Sequence, residues 1–492
     1  MPFGATVSVE NGRLAVPGAD SHGLRVYRGI PFAAPPVGPL RWRPPQAPLP
    51  WAGVRPVDAF GANAMQAKVY GDLDPFTEGV SEDCLFLNVW TPAASAAERR
   101  PVLFWIHGGG FVAGHGAEPR YDGARLAARG IVVVTSNHRL GAFGFLAHPQ
   151  MTAESPHRAS GNYGLLDQVA ALAWVKRNIA AFGGDPDCIT VAGESAGSIS
   201  VSALMASPLA AGLFQRAVGE SGALFSASPN RPDRSLAAAE RYGVSFAEAL
   251  GARSLAEMRA LPADRIVAAT PTDHTLWPIV DGHVLPQSPA EIFAAGKQND
   301  VTLLAGWNRD EGFSFDFTAG TGRTFAEIVR ERFAPRAEGV LALYPADDPQ
   351  SARDFGGDLV IVQPTWAWIE AQVKTGTRPV YRYRFDRAPT VPADWFGDTS
   401  NADAGAFHAA EIVYVFDTFA AFPWTYSEAD RKTSAAMSAY WVNFVKSGNP
   451  NGEGLPEWPA YGAEGRRIMV LDAEPHAGVA DRDERLARLL RR

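Results

Sequence analysis

Cysteine is almost absent: the 492-residue chain has two, Cys84 and Cys188. At most one bridge can form, so a disulfide framework is excluded, and two reduced thiols in a cytoplasmic protein are expected. Long apolar runs are also missing. The longest, Ile131 to Ala147, is interrupted by Asn137, His138 and Arg139, so no membrane span is expected. Residues 1–20 show neither a basic start nor an apolar core, so no signal peptide is expected. Charge of one sign is nowhere concentrated. The net charge is −8 with acidic and basic residues mixed, which argues against nucleic acid or an anionic membrane surface as partner. No internal repeat, heptad pattern or low-complexity tract occurs.

What is present is ordinary soluble composition, 46% hydrophobic and 20% charged. Short β-branched runs at Val102–Ile106, Ile131–Thr135, Ile189–Ala192, Val301–Ala305 and Val380–Phe385 predict buried strands. Leu165–Ala181 has apolar residues at helical spacing and stops at Gly183-Gly184-Asp185-Pro186. Such alternation predicts an α/β fold with a mostly parallel sheet covered on both faces. Residues 229–271 and 325–369 read as helical insertions forming a cap, and 482–492 as an exposed helix. Length alone would allow two or three domains; one domain over residues 1–492 with these insertions is expected.

Gly193-Glu194-Ser195-Ala196-Gly197 fits the pattern G-x-S-x-G, with a strand ending at Ala192 and helix-compatible residues starting at Ala196. A strand-to-helix turn of this kind exposes the serine hydroxyl at the sheet edge, the arrangement of the α/β-hydrolase fold. Upstream, His107-Gly108-Gly109-Gly110-Phe111 follows a predicted strand. Glycines in succession leave bare amides, and Gly109, Gly110 and Ala196 are the expected oxyanion donors. A phosphate loop would need a following Lys-Ser/Thr pair, which is missing.

The fold orders its triad serine, acid, histidine. Only His274, His283, His408 and His476 follow Ser195. His408 comes after the Val380–Phe385 strand and a loop, where a base must reach back, whereas His476 lies in a polar tail. The acid should leave the Val301–Ala305 strand, and both Asp310 and Glu311 qualify by position.

Together these motifs resemble the type-B carboxylesterase family, which includes cholinesterases and bacterial para-nitrobenzyl esterases. The resemblance runs through Arg28–Ala33, Pro35–Gly38, Ser81–Trp90, His107–Phe111, Asn137–Leu146, Gly161–Asp167, Phe182–Gly197, Pro278–Gly282, Asn308–Gly312 and Phe407-His408. It implies hydrolysis of small carboxylic esters without cofactor or metal, and Glu311 as the acid. It further implies ion pairs Arg41–Glu82 and Arg139–Asp167, and places Glu194, Ser221 and Glu411 around the triad. The family's frequent first disulfide would join Cys84 to a residue near 64, where Ala64 stands. The choline-site tryptophan has no counterpart between Ala64 and Glu82. Amides, carbamates or polyesters remain rival substrates, because leaving-group preference lives in the pocket. A catalytically silent binding protein of the same fold is the other rival. Phe111, Phe225, Trp277, Phe313, Phe315, Trp366 and Trp368 are candidate pocket aromatics that composition alone reads as core.

Overall fold

The strand Arg100–Ile106 sends Val102, Phe104 and Ile106 into one apolar core and Leu103 and Trp105 into another. That two-residue alternation is the signature of a strand buried on both faces, and it holds across the central sheet. The computed structural model describes residues 3–71, 73, 79–225, 233–273, 275–396, 404–462 and 465–489. Ten of its strands form one sheet: β1 (Arg25–Pro31), β2 (Phe86–Thr91), β3 (Arg100–Ile106), β4 (Val132–Ser136), β5 (Gly184–Glu194), β6 (Arg216–Glu220), β7 (Thr302–Asn308), β8 (Val380–Phe385), β9 (Arg467–Leu471) and β10 (His476–Val479). Their spatial order is β10-β9-β8-β7-β6-β5-β3-β4-β2-β1.

The interior of the sheet, from β4 to β9, is parallel, and the two margins are antiparallel: β1 with β2, β2 with β4, and β9 with β10. The mostly parallel sheet expected from the sequence is therefore present with antiparallel edges. A separate three-stranded sheet near the N-terminus uses Thr6–Val9, Gly12–Ala15 and Val54–Arg55.

Helices cover both faces. On one lie α1 (Tyr163–Asn178) and α2 (Ala196–Ala206), packed in the core with Val102, Phe104 and Ile106. α1 carries Lys176 and Arg177 in its last turn, favourable at a helix C-terminus. The chain then passes through a short 3₁₀ turn to Gly183 at φ 78°, where the expected breaker stops it. Every residue of α2 is buried, so α2 needs no polar face. The serines it carries all find buried partners: Ser198 donates to the Gly222 carbonyl, Ser202 to that of Ile199, and Ser200 accepts from Gln168.

The expected cap segments are helical. Residues 233–271 form α3 (Leu236–Ala249) and two shorter helices; 226–232 lie outside the described residues. Within 325–369 the chain makes three helices, ending with α4 (Ser351–Gly357), and a π turn at Asp358–Val362. α5 (Gln363–Thr375) follows, and it does not stand over the sheet edge as expected. Trp368 is fully buried against the sheet, and a methyl on Gly219 of β6 would lie 2.3 Å from its ring. The apolar face of α5 is core, not cap. The last helices are α6 (Glu428–Ser447) and α7 (Asp483–Leu489). α7 is not the exposed helix expected: Leu486 and Leu489 are buried, and Arg485 reaches Asp358 at 2.8 Å.

Both implied ion pairs are formed. Arg41 Nε donates to Glu82 at 2.6 Å. Arg139 donates to Asp167 through Nε at 2.8 Å, NH2 at 2.7 Å and its own backbone amide at 3.0 Å. Cys84 and Cys188 are both unpaired, Cys84 in the core. Among the described residues, no helix is long and apolar enough to cross a membrane.

Candidate active site

β5 ends at Glu194 and α2 starts at Ala196, leaving Ser195 at φ 54° and ψ −119°. A non-glycine residue in that region is strained and must be held by its surroundings. Two bonds hold it: the Ser195 amide donates to the Glu220 carbonyl at 2.8 Å, and its own carbonyl accepts from Ile199 at 2.9 Å. The turn also demands glycine at its flank, since a methyl on Gly197 would stand 2.1 Å from the Ile106 carbonyl oxygen. The sequence pattern and the steric requirement coincide.

His408 Nε2 lies 2.9 Å from Ser195 Oγ, and His408 Nδ1 lies 2.6 Å from Glu311 Oε2. The other Glu311 oxygen accepts from the Asn308 amide at 2.8 Å. Asp310, the neighbour that sequence position could not separate, faces elsewhere. Its carboxylate accepts from the Ala406 amide at 2.7 Å and from Arg309 Nε at 3.0 Å. Asp310 thus pins the loop that carries the histidine, while Glu311 bonds the imidazole itself. His476 is exposed on β10, His283 stacks on His157 at 3.8 Å, and His274 lies outside the described residues.

The glycine loop after β3 runs beside the serine: a methyl on Gly108 would stand 3.3 Å from Ser195 Cβ. Gly109 has φ 101°, and a methyl there would meet the Ala113 carbonyl oxygen at 2.2 Å. Among the described residues, no turn or loop bond within the backbone takes its donor from Gly109, Gly110 or Ala196, whereas Val112 and Ala113 both donate to the Gly109 carbonyl. His107 anchors the start of the loop. Its Nδ1 lies 2.8 Å from the Gly108 carbonyl and its ring stacks on His138 at 4.4 Å. Burial pushes His107 down to about 3, so its ring is neutral and Nδ1 donates.

Behind Ser195, His408 and Glu311 lies a group of buried carboxyls. Glu194 Oε1 is 3.3 Å from His408 Nε2. Glu411 accepts from Asn308 Nδ2 at 2.6 Å and from Ser221 Oγ at 3.4 Å. Glu220 accepts from Trp441 Nε1 at 2.7 Å. Burial pushes all three carboxyls up. For His408, burial alone would lower the imidazole, but the carboxylates of Glu194 and Glu311 more than reverse it and hold it up at about 9. Groups this close influence one another's titration, so the carboxyls and the imidazole titrate as a set.

The three residues implied around the triad, Glu194, Ser221 and Glu411, all sit in this cluster. Sequence reasoning missed Asn308, Glu220 and Trp441. Asn308 closes the strand that carries the acid, and its side-chain amide also donates to the Phe407 carbonyl at 2.7 Å, tying the acid and histidine loops together. Of the candidate aromatics, Phe315 packs edge-on against His408, the ring centres 5.1 Å apart. Phe111 and Trp277 pack together at 5.4 Å. Phe225 and Phe313 pair with Phe293 and Phe396, and Trp366 and Trp368 are buried on α5. Among the described residues, no group of three or more His, Cys, Asp or Glu side chains is arranged to hold a metal ion.

Comparison with known proteins agrees with this architecture. The model of the carboxylesterase family matches residues 5–336 and 344–488. The para-nitrobenzyl esterase of Bacillus subtilis is 37% identical over 484 residues, 93% of each chain. The fumonisin B1 esterase of Sphingopyxis macrogoltabida is 36% identical over 474 residues, 92% of this chain and 84% of that one. A solved PNB esterase structure superposes with a TM-score of 0.86 at 34% identity, covering both chains in full. The carboxylesterase of Geobacillus stearothermophilus does so with a TM-score of 0.84 at 34% identity, over 99% of this chain and all of the other. With the family model spanning nearly the whole chain and these structures matching its fold, the protein belongs to the carboxylesterase family and has the α/β-hydrolase fold.

Proposed function

We propose that the protein is a serine carboxylesterase in which Ser195 is the nucleophile, His408 the general base and acid, and Glu311 the group that orients His408. The observation that carries this reading is the unbroken relay from Ser195 Oγ through the His408 ring to Glu311, at 2.9 and 2.6 Å. Ser195 Oγ attacks the ester carbonyl carbon while its proton passes to His408 Nε2. The carbonyl oxygen becomes an oxyanion and takes hydrogen bonds from the amides of Gly109, Gly110 and Ala196, each worth about 3–4 kcal/mol in the transition state. Ala196 adds the positive end of α2. The tetrahedral intermediate then collapses: its bond to the alcohol oxygen breaks, and His408 gives that oxygen its proton. Water repeats the sequence on the acyl-serine, releasing the acid and restoring Ser195.

Ser221, Glu194 and Glu411 act through His408 and the loops around it, not on substrate. The ligand is a small carboxylic ester, and the two unpaired thiols suit a reducing, cytoplasmic location. A silent binding protein would have no need to hold all three triad groups within bonding distance. Ser195→Ala is expected to abolish ester hydrolysis and labelling by a fluorophosphonate while the far-UV circular dichroism spectrum and melting temperature hold. Turnover retained in that variant would overturn the assignment.

A further inference from the structure

Arg234 stands just before α3, whose N-cap is Ser235. Its backbone is clamped to the 276–280 turn: Val280 donates to the Arg234 carbonyl at 2.9 Å, and Leu236 donates to the Val280 carbonyl at 3.1 Å. The clamp lays the guanidinium 4.9 Å over the Trp277 ring. Trp277 packs edge-on against Phe111 at 5.4 Å, and Phe111 directly follows the three glycines beside Ser195. Two ring contacts thus connect this cation to the oxyanion loop.

The guanidinium is poorly matched where it sits. Among the described residues its one hydrogen bond is long, 3.5 Å from NH1 to the Pro278 carbonyl. Among the described residues no carboxylate pairs with it, and the adjacent Asp233 faces Arg241 at 4.0 Å. Burial pushes Arg234 down to about 10. The contrast within the molecule is sharp: Arg139, Arg177, Arg384, Arg387, Arg466 and Arg485 are all held up by carboxylates. A partly desolvated guanidinium with an aromatic floor and no carboxylate partner among the described residues is a preformed seat for an anion, since its fork matches a carboxylate in two bonds.

We infer that Arg234 is a specificity-determining residue of the substrate pocket and that the enzyme takes esters bearing a free carboxylate. This rests on the ester-hydrolase reading above. The free carboxylate can belong to the acyl part or to the alcohol part, and the chemistry of recognition is the same for both.

The test is a ratio, because a purely structural arginine would change all substrates alike. kcat/KM is measured by titrating released acid for monoethyl glutarate against ethyl pentanoate, and for the butanoyl ester of glycolate against propyl butanoate. Wild type, Arg234→Gln and Arg234→Met are compared; the methionine keeps an apolar stem on Trp277 and carries the test if the glutamine variant does not fold. In at least one pair the anionic-to-neutral ratio is expected to fall about tenfold or more in the variants, the loss typical of a binding group left unpaired. The pair that responds tells which side of the ester carries the anion. Ratios unchanged in both pairs, in an enzyme that turns over ethyl pentanoate, overturn this inference alone. Failure of the wild type on all four esters overturns the ester-hydrolase reading first and this inference with it.

Discussion

Two sets of acidic side chains are buried in this molecule, and the fold treats them in opposite ways. Asp167 on α1 is fully enclosed and accepts three bonds from Arg139. Burial alone would lower the Arg139 guanidinium, yet Asp167 raises it on balance, while burial keeps the Asp167 carboxyl above its ordinary value even against the pull of Arg139. Glu194, Glu220 and Glu411 are as deeply enclosed, but among the described residues no arginine or lysine bonds to any of them. Their partners are an indole, an amide, a hydroxyl and the His408 ring. Three bonds from one arginine hold a carboxylate in place and so make a strut. Neutral donors and an imidazole leave protons free to redistribute, which is what a site that moves a proton in each half-reaction needs. The difference in partners, not in burial, separates structure from chemistry here.

The comparison is tested most severely at Glu311. Glu311→Gln keeps size and can still accept from the Asn308 amide, but its NH₂ would face His408 Nδ1 and force the wrong tautomer. A fall in kcat of about 10⁴-fold is expected with the fold intact. Steady-state kinetics beside a thermal melt measure it; a fall below about tenfold would show that the imidazole is oriented by something other than this bond. The matching change in the strut is Asp167→Asn, which leaves the Arg139 charge buried without its counter-ion. A loss of about 3–5 kcal/mol in urea unfolding is expected, with the kcat of the surviving folded protein little changed. A variant as stable as the wild type would erase the distinction between the two sets.

The strut and the site were unequally legible in the sequence. Ser195 announces itself locally, because the glycines that the turn requires are two residues away. His408 follows from chain order and elimination. Asp310 and Glu311 are neighbours with the same chemistry, and only the short 3₁₀ turn beginning at Glu311 turns one toward the imidazole and the other toward Ala406. Glu220 and Trp441 meet across 221 residues, and Asn308 and Glu411 across 103. No local pattern encodes such pairs. The antiparallel margins were equally silent, since strands like β1 and β10 are only partly buried, without the apolar runs that marked the interior. The place of α5 is not legible either, because an amphipathic helix looks the same whether its apolar face meets a cap or a sheet.

The smallest expected effect is also the most discriminating, because it asks where the protons of the site reside. Glu194 Oε1 stands 3.3 Å from His408 Nε2 and is foremost among the charges that raise the imidazole. In the proposed mechanism His408 must be neutral to accept the serine proton, and a neighbouring carboxylate favours its charged form. Replacing Glu194 by glutamine removes that charge, so His408 loses its proton at lower pH. The ascending limb of kcat/KM is therefore expected to move toward acid. The shift should stay within about one pH unit, worth about 1.4 kcal/mol, because Glu311 still holds the ring. Burial pushes Glu194 itself up, and this opposes the effect. If Glu194 keeps its proton while His408 titrates, glutamine is nearly its equal and the limb stays in place. A pH–rate profile of Glu194→Gln beside the wild type reads the difference directly. An unmoved limb would mean that Glu194 rests in a single charge state through turnover, and the mobile set would shrink toward Glu311 and His408 alone.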